Sequence, residues 1–287
     1  MHTHTPTAPA TVATLDVPGA HLHYEVRGEG PLAVLVGAPM DARAFEPLAD
    51  LLAADHTVLT TDPRGINRSR VDDPDQDSTP ELRADDLARL IANLDAGPAV
   101  VLGSSGGAVS ALALVQAHPE LVSTAVAHEP PLTELLDDRE ELRERTDDII
   151  ATHLAGDAEG ALRKFLALAD ISLPEPVIQA MIPTAADPRA VADAHYQHVR
   201  MLRPTARWVP DLAALRSAPT RIVVGIGEAS GGQLCERTSI ALAEGLGIAP
   251  ARFPGDHVGF VGDPGAFAVR LRTVVGGRRG RAPTGER

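Results

Sequence analysis

The chain of 287 residues has a single cysteine, Cys235, so no disulfide can form within it, which fits a reducing compartment. Basic residues are outnumbered: 26 Lys and Arg against 39 Asp and Glu give a formal net charge of -13. Nucleic acids and anionic membranes are bound through clustered cations that replace counterions, so this balance argues against both and favours a small neutral or cationic ligand. The arginines near the end, Arg278, Arg279, Arg281 and Arg287, read as a solvated tail. The opening MHTHTPTAPATV has neither the basic start nor the apolar run of a secretion signal, and a cytoplasmic protein is expected. A membrane span is also missing. Residues Ala96 to Pro119 carry no charge for 24 residues, but four glycines and two prolines interrupt them, and the apolar runs between are short.

What is present is alternation. Two segments, Thr14 to Val17 and His21 to Val26, flank Pro18-Gly19 and predict an antiparallel hairpin. After it, short apolar runs at Leu32–Val36, Thr57–Thr61, Val100–Leu102, Val122–Ala127 and Arg221–Val224 read as strands. Amphipathic helical stretches at Phe45–Ala54, Glu81–Leu94 and Ala108–Ala117 separate most of them. This pattern predicts an α/β protein with a mostly parallel twisted sheet of about eight strands and helices on both faces. Between Pro130 and about Pro219 the strands lapse and only helix-like segments remain, with Leu162, Phe165, Leu166 and Leu168 at helical spacing. The expected organisation is a core of residues 12–130 and 219–276, a helical lid of 131–218, and disordered tails at 1–11 and 277–287. Such an insertion would cover the carboxyl ends of the strands, where ligands bind in open α/β sheets. In and near it, Met40, His195 and Trp208 are candidate substrate contacts, with helix packing the plainer role for His195, Tyr196, His198 and Trp208.

The chemistry is concentrated at Val100-Val101-Leu102-Gly103-Ser104-Ser105-Gly106-Gly107-Ala108. A buried strand breaks on small residues and turns directly into a helix, which is how a serine is presented on a strained elbow. The frame Gly103-x-Ser105-x-Gly107 fits only Ser105, because a frame on Ser104 would need glycine at Leu102. The flanking glycines are required because the backbone passes close to its neighbours there. A serine hydroxyl is a poor nucleophile until a base takes its proton, so Ser105 predicts a downstream histidine held by a carboxylate. Among the 11 histidines, His257, in the Gly-rich loop Phe253-Pro254-Gly255-Asp256-His257-Val258-Gly259-Phe260, has the right order and context. It precedes a closing helix at Pro264–Val275.

With these residues in place the chain resembles the α/β-hydrolase superfamily from about Leu15 to Val275. Val36-Gly37-Ala38-Pro39 matches the family's His-Gly-x-Pro loop, with valine in place of histidine. Asp62-Pro63-Arg64-Gly65-Ile66-Asn67-Arg68-Ser69 matches its Asp-x-Arg-Gly-x-Gly-x-Ser segment, with asparagine in place of one glycine. The resemblance implies an oxyanion hole from the backbone amides of Ala38 and Gly106, and an Asp62–Arg64 pair that braces loops beside the site. For the acid it leaves two positions open. Glu228, after Gly225-Ile226-Gly227, lies near the family's usual place and is slightly favoured, with Ser230 where the other glycine frame would put the acid. Glu129, in His128-Glu129-Pro130-Pro131, lies where haloalkane dehalogenases and some other relatives carry theirs.

A serine at the elbow argues against epoxide hydrolase and dehalogenase chemistry, which use an aspartate there. The expected activity is hydrolysis of an ester, lactone or related carbonyl bond of a small apolar molecule through an acyl-enzyme, with no cofactor and no metal. Carbon–carbon cleavage, lyase or cyclase chemistry on the same triad, and a non-catalytic ligand-binding relative, are the alternatives. Whether the protein forms a homo-oligomer is left open by the sequence.

Overall fold

A computed structural model describes residues 10–276. Nine strands form one sheet: β1 (Thr11–Val17), β2 (Ala20–Arg27), β3 (Leu32–Val36), β4 (Thr57–Thr61), β5 (Arg70–Val71), β6 (Ala99–Ser104), β7 (Val122–His128), β8 (Arg221–Gly227) and β9 (Ala251–Phe253). Their order is β1-β2-β4-β3-β6-β7-β8-β9, with the short β5 paired to β2. The hairpin is present and longer than expected, running from Thr11 and turning on Gly19 at φ 73°. From β4 to β9 every pairing is parallel. The α/β architecture expected from the alternation is therefore observed. Of the tails expected to be disordered, residues 1–9 and 277–287 lie outside the described residues.

The strands bury both faces, and their side chains sort by the two-residue period of a pleated strand. Val34, Val36, Val101, Ala125, Ala127 and Val224 pack on one face with helices α2 (Pro80–Leu94), α3 (Gly106–Ala117) and α10 (Leu234–Leu246). Leu35, Leu102, Val126 and Val223 pack on the other with α1 (Ala42–Leu52), α11 (Gly259–Gly262) and α12 (Pro264–Gly276). Phe45 of α1 stacks on Phe260 of α11 with centroids 4.7 Å apart, and burying each such ring stabilises the fold by about 2–3 kcal/mol. Helix α3 is buried from Gly106 through Val115, on every side. That accounts for the charge-free stretch: it is the central strand and the helix behind it. No helix among the described residues is long and apolar enough to cross a membrane.

Between β7 and β8 the chain makes only helices: α4 (Arg139–Leu154), α5 (Ala158–Ala169), α6 (Glu175–Met181), α7 (Pro188–Tyr196), a π-helical turn (Gln197–Met201), α8 (Leu202–Ala206) and α9 (Leu212–Ser217). Leu142, Ile149, Ala161 and Leu168 give this insertion a small core shared with Leu234 of α10. Several contacts tie it to the sheet domain. The Tyr196 ring lies over Gly65, where a Cβ would come within 2.2 Å of it and where φ is +76°. The buried Arg83 of α2 donates to Ser110 of α3 at 2.8 Å and to Thr205 of α8 at 2.9 Å.

The expected Asp62–Arg64 pair does not form. Arg64 pairs with Asp86 of α2 at 2.6 and 2.7 Å. Asp62 accepts from Arg68 at 2.8 and 2.9 Å and from the Ala42 amide at 3.0 Å. Both residues brace the loop, each through a different partner. Asn67, where the family has glycine, sits at φ 51°, a left-handed conformation that asparagine tolerates better than most side chains. Its amide donates to Asp193 of the insertion at 3.0 Å.

Candidate active site

The sharp turn between β6 and α3 holds Ser105 at φ 56°, ψ −128°, outside the regions that non-glycine residues ordinarily occupy. The two glycines of the motif make this turn possible for separate reasons. A Cβ on Gly103 would stand 2.4 Å from the Gly107 carbonyl in the helix, and a Cβ on Gly107 would stand 2.2 Å from the Val36 carbonyl of β3. Both obstacles are backbone, which cannot swing aside. The Ser105 amide is fixed by the His128 carbonyl at 2.9 Å, so the end of β7 holds the elbow from the side.

His257 lies in the loop between β9 and α11, turned by Gly255 at φ 83°. Its Nδ1 is 2.6 Å from Glu129 Oε2, with the carboxylate fully buried and the imidazole nearly so. The other carboxylate oxygen, Oε1, accepts from the Gly227 amide at 2.7 Å. Glu129 itself is at φ 51°, a second strained non-glycine residue, at the point where β7 ends. Glu228 is turned away: its amide donates to the Phe253 carbonyl at 2.8 Å, and its side chain is exposed. Thus the structure brings His257 together with Glu129 and not with Glu228, the candidate the sequence slightly favoured. Ser230, the other position considered, is fully buried.

The electrostatics follow from this pairing. Burial disfavours the charged carboxylate of Glu129, but the hydrogen bond from His257 and the nearby His128 outweigh it and hold its pKa down at about 2. Burial likewise disfavours a charged His257, and it is outweighed by Cys235 and Glu129, which raise the imidazole to about 10. His128, despite its place beside Glu129, is held down to about 4 by complete burial. It is wedged edge-on among Phe253, Phe260 and Phe267 with Nδ1 3.2 Å from Ser104 Oγ. Ser104 and His128 thus form an inner pair with no opening to a reactant.

Ser105 and His257 line two adjoining cavities, an inner one of about 110 Å³ and an outer one of about 480 Å³. Pro39, Phe165, Ile171 and Gln197 are shared with them and form the waist. No hydrogen bond joins Ser105 Oγ to the imidazole in this conformation, an arrangement common in ligand-free catalytic sites. Ala38 and Gly106 line the inner cavity. They are in close contact, since a Cβ on Gly106 would fall 2.4 Å from the Ala38 carbonyl. Met40 lines the outer cavity. Trp208 does not reach either one: it is packed into the core, with Nε1 donating to Glu81 at 2.8 Å. His195 is exposed and meets the cavity only through His153, whose Nε2 is 3.3 Å from its Nδ1.

Cys235 was invisible to sequence reasoning as a site residue, because a lone cysteine on a helix carries no spacing signal. It lines the inner cavity beside His257. Glu129, Cys235 and His257 place one ligand atom each within 4.8 Å of one another, the kind of donor set that takes a soft metal ion. The 2.6 Å contact between carboxylate and imidazole is that of a direct hydrogen bond, shorter than the roughly 3.3 Å that separates two donors bound at about 2 Å to one tetrahedral ion. The arrangement serves proton transfer better than coordination.

A parallel α/β sheet with a serine elbow, a late histidine and a buried acid defines a class. The model of the alpha/beta hydrolase family matches residues 33–271, and the chain belongs to that family. It is 32% identical over 269 residues to the uncharacterized hydrolase YraK of Bacillus subtilis, covering 91% of this chain and 95% of that one. It is 29% identical over 275 residues to a zearalenone hydrolase of Bionectria ochroleuca, covering 90% and 95%. Among solved structures, an enol-lactonase from Burkholderia xenovorans superposes with a TM-score of 0.70 at 18% identity, covering 92% of this chain and all of the other, a likeness of fold. Family and relatives alike are those of a hydrolytic enzyme.

Proposed function

We propose that the protein is a serine hydrolase that opens an ester or lactone bond of a small, largely apolar molecule. The observation that carries this reading is the buried Glu129–His257 contact at 2.6 Å, beside a cavity whose wall also holds Ser105. In the cycle, His257 takes the proton of Ser105 as its oxygen attacks the carbonyl carbon. Glu129, bonded to Nδ1, keeps Nε2 as the nitrogen that faces the reaction and stabilises the imidazolium. The amides of Ala38 and Gly106 serve as donors to the oxyanion, and because they are main-chain groups, valine at position 36 does not impair them. Protonated His257 then delivers its proton to the leaving alcohol, and a water activated by the same base releases the acyl group.

The helical insertion acts as the lid. It supplies Thr133, Thr146, Met201 and Thr205 to the inner cavity, and the three threonine hydroxyls donate to carbonyls of Ala206, Leu142 and Met201. With those protons committed, the inner cavity offers no hydroxyl donor besides Ser105 itself, which supports an apolar acyl or alkyl group there. The zearalenone hydrolase among the relatives supports hydrolysis as the class of reaction. The single, buried Cys235 supports a cytoplasmic setting.

The test is to treat the protein with a fluorophosphonate, locate the adduct by mass spectrometry, and assay p-nitrophenyl esters of several chain lengths. An adduct on Ser105 with turnover of short esters is the expected result. Labelling without turnover would point to the non-hydrolytic enzyme, and an unlabelled Ser105 to a binding protein.

A further inference from the structure

The outer cavity is apolar at Leu162, Leu166, Leu173 and Val177, yet two imidazoles besides that of His257 stand in its wall. His198 comes from the π-helical turn of the insertion, a widened turn of the kind often found at functional positions. Its ring stacks on that of His153 from α4, with centroids 4.6 Å apart and planes within 5°. His198 is 7% exposed, and its Nδ1 lies 2.7 Å from the Ala194 carbonyl. A carbonyl only accepts, so Nδ1 carries the proton. Burial then holds the ring's pKa below the ordinary histidine value, leaving Nε2 a bare lone pair. That nitrogen is buried without a partner, and so is Nδ1 of His153. An orphaned buried acceptor is unfavourable, and a ligand group that donates to it recovers that cost. Of the groups that accompany it in this cavity, Asp256 is an acid that would repel an anion.

We propose that His198, supported by His153, is a specificity-determining residue that accepts a hydrogen bond from a hydroxyl on the substrate, so that the preferred substrates are hydroxylated apolar esters or lactones. His195 acts behind it as a positioning residue, through its contact with His153. This inference rests on the proposed hydrolase reading of the same cavity.

Binding measured without turnover separates the two. In Ser105→Ala protein, calorimetric titration compares 4-propylphenol with its methyl ether, which has similar bulk but no donor. The phenol is expected to bind about tenfold more tightly, the equivalent of one hydrogen bond. In Ser105→Ala/His198→Phe, which keeps a ring to stack on His153, the ether should bind as before and the phenol should fall to within about twofold of it. Equal affinities in the Ser105→Ala protein overturn the proposal, and that comparison stands even if the phenylalanine variant fails to fold. Equal loss of both ligands in the double variant also overturns it, because a packing role would produce that result. Fluorophosphonate labelling of Ser105 in the unaltered protein reads the hydrolase assignment independently of either outcome.

Discussion

Glu129 and His257 are 128 residues apart in the chain and meet at 2.6 Å, while Glu228, only 29 positions before His257, faces solvent. The distinction comes from how two neighbouring strands end. β7 and β8 run side by side, His128 opposite Gly225, so both glutamates flank one notch at the carboxyl edge of the sheet. The positive φ at Glu129 turns its side chain into the notch, where the Gly227 amide caps Oε1. Glu129→Gln is expected to lower kcat on a p-nitrophenyl ester by roughly 10³ to 10⁴, because the amide can hold the imidazole but not balance its charge. Glu228→Gln should leave kcat within about twofold. Comparable losses in the two variants would remove Glu129 from the proposed triad.

The same pairing sets the pH dependence. The reaction needs neutral His257, and Cys235 and Glu129 raise its pKa from 6.5 towards 10 against the opposing effect of burial. Hence kcat/KM should rise with pH through a midpoint above the ordinary histidine value. Cys235→Ala removes one of the groups that stabilise the charged ring and should move that midpoint down. For stability the signs are opposite for the two partners. The lowered Glu129 contributes fully above 4.5 and loses its contribution as pH falls towards 2. The raised His257 contributes fully below 6.5 and loses it as pH rises towards 10. A pH–rate profile with its midpoint at or below 6.5 would contradict this electrostatic account.

Much of this arrangement is legible in the sequence because it is local. The elbow is a contiguous run in which a strand, a serine and two sterically required glycines follow one another, and the structure shows the collision each glycine avoids. The strands between Leu32 and Val224 are readable for a similar reason: a sheet buried on both faces demands short, wholly apolar runs. What escaped is what depends on direction or on distant packing. Two carboxylates at adjacent strand ends look alike until the backbone dihedral of one is known. Trp208 is drawn into the core by Glu81, 127 positions away, and nothing near it in the chain says so. The family resemblance implies an Asp62–Arg64 pair, but Arg68 and Asp86 present better partners in space. His153 and His198 form a stacked pair because α4 and the π-helical turn pass each other, a crossing that periodicity does not specify.

The glycines of the elbow give a third expectation, in which stability and rate separate. In Gly107→Ala the new methyl meets the Val36 carbonyl at 2.2 Å and the Gly37 Cα at 2.7 Å, both backbone, so a strand must move. A loss of about 3 kcal/mol or more is expected in urea denaturation. In Gly106→Ala the obstacle is the Ala38 carbonyl at 2.4 Å, and shifting it displaces the loop that carries the second proposed oxyanion donor. Here kcat should fall roughly 10² to 10³-fold. Gly262→Ala, with nothing within 4 Å, is the control and should be neutral or slightly stabilising.

Arg83 supplies the last test, because it links the helical insertion to α3, the helix that follows Ser105. It is fully buried, and burial lowers its pKa to about 10, so it stays charged at neutral pH. No carboxylate pairs with it directly. Instead it donates to Ser110 Oγ at 2.8 Å, to the Ser78 carbonyl, and to Thr205 Oγ1 at 2.9 Å. Ser110 in turn donates to the Gly106 carbonyl at 3.0 Å, and Thr205 lines the inner cavity, so one guanidinium orders both sides of the reaction space. Arg83→Met keeps most of the side-chain stem but strands the Ser78 carbonyl in the interior. It should cost about 3 kcal/mol, read as a lower urea midpoint with an unchanged slope. Because the insertion's wall of the inner cavity loses this tether, KM for a p-nitrophenyl ester should rise while fluorophosphonate still labels Ser105. A variant with unaltered midpoint and KM would show that the insertion is held in place by its other contacts, such as Asn67 with Asp193 and Trp208 with Glu81, and not by Arg83.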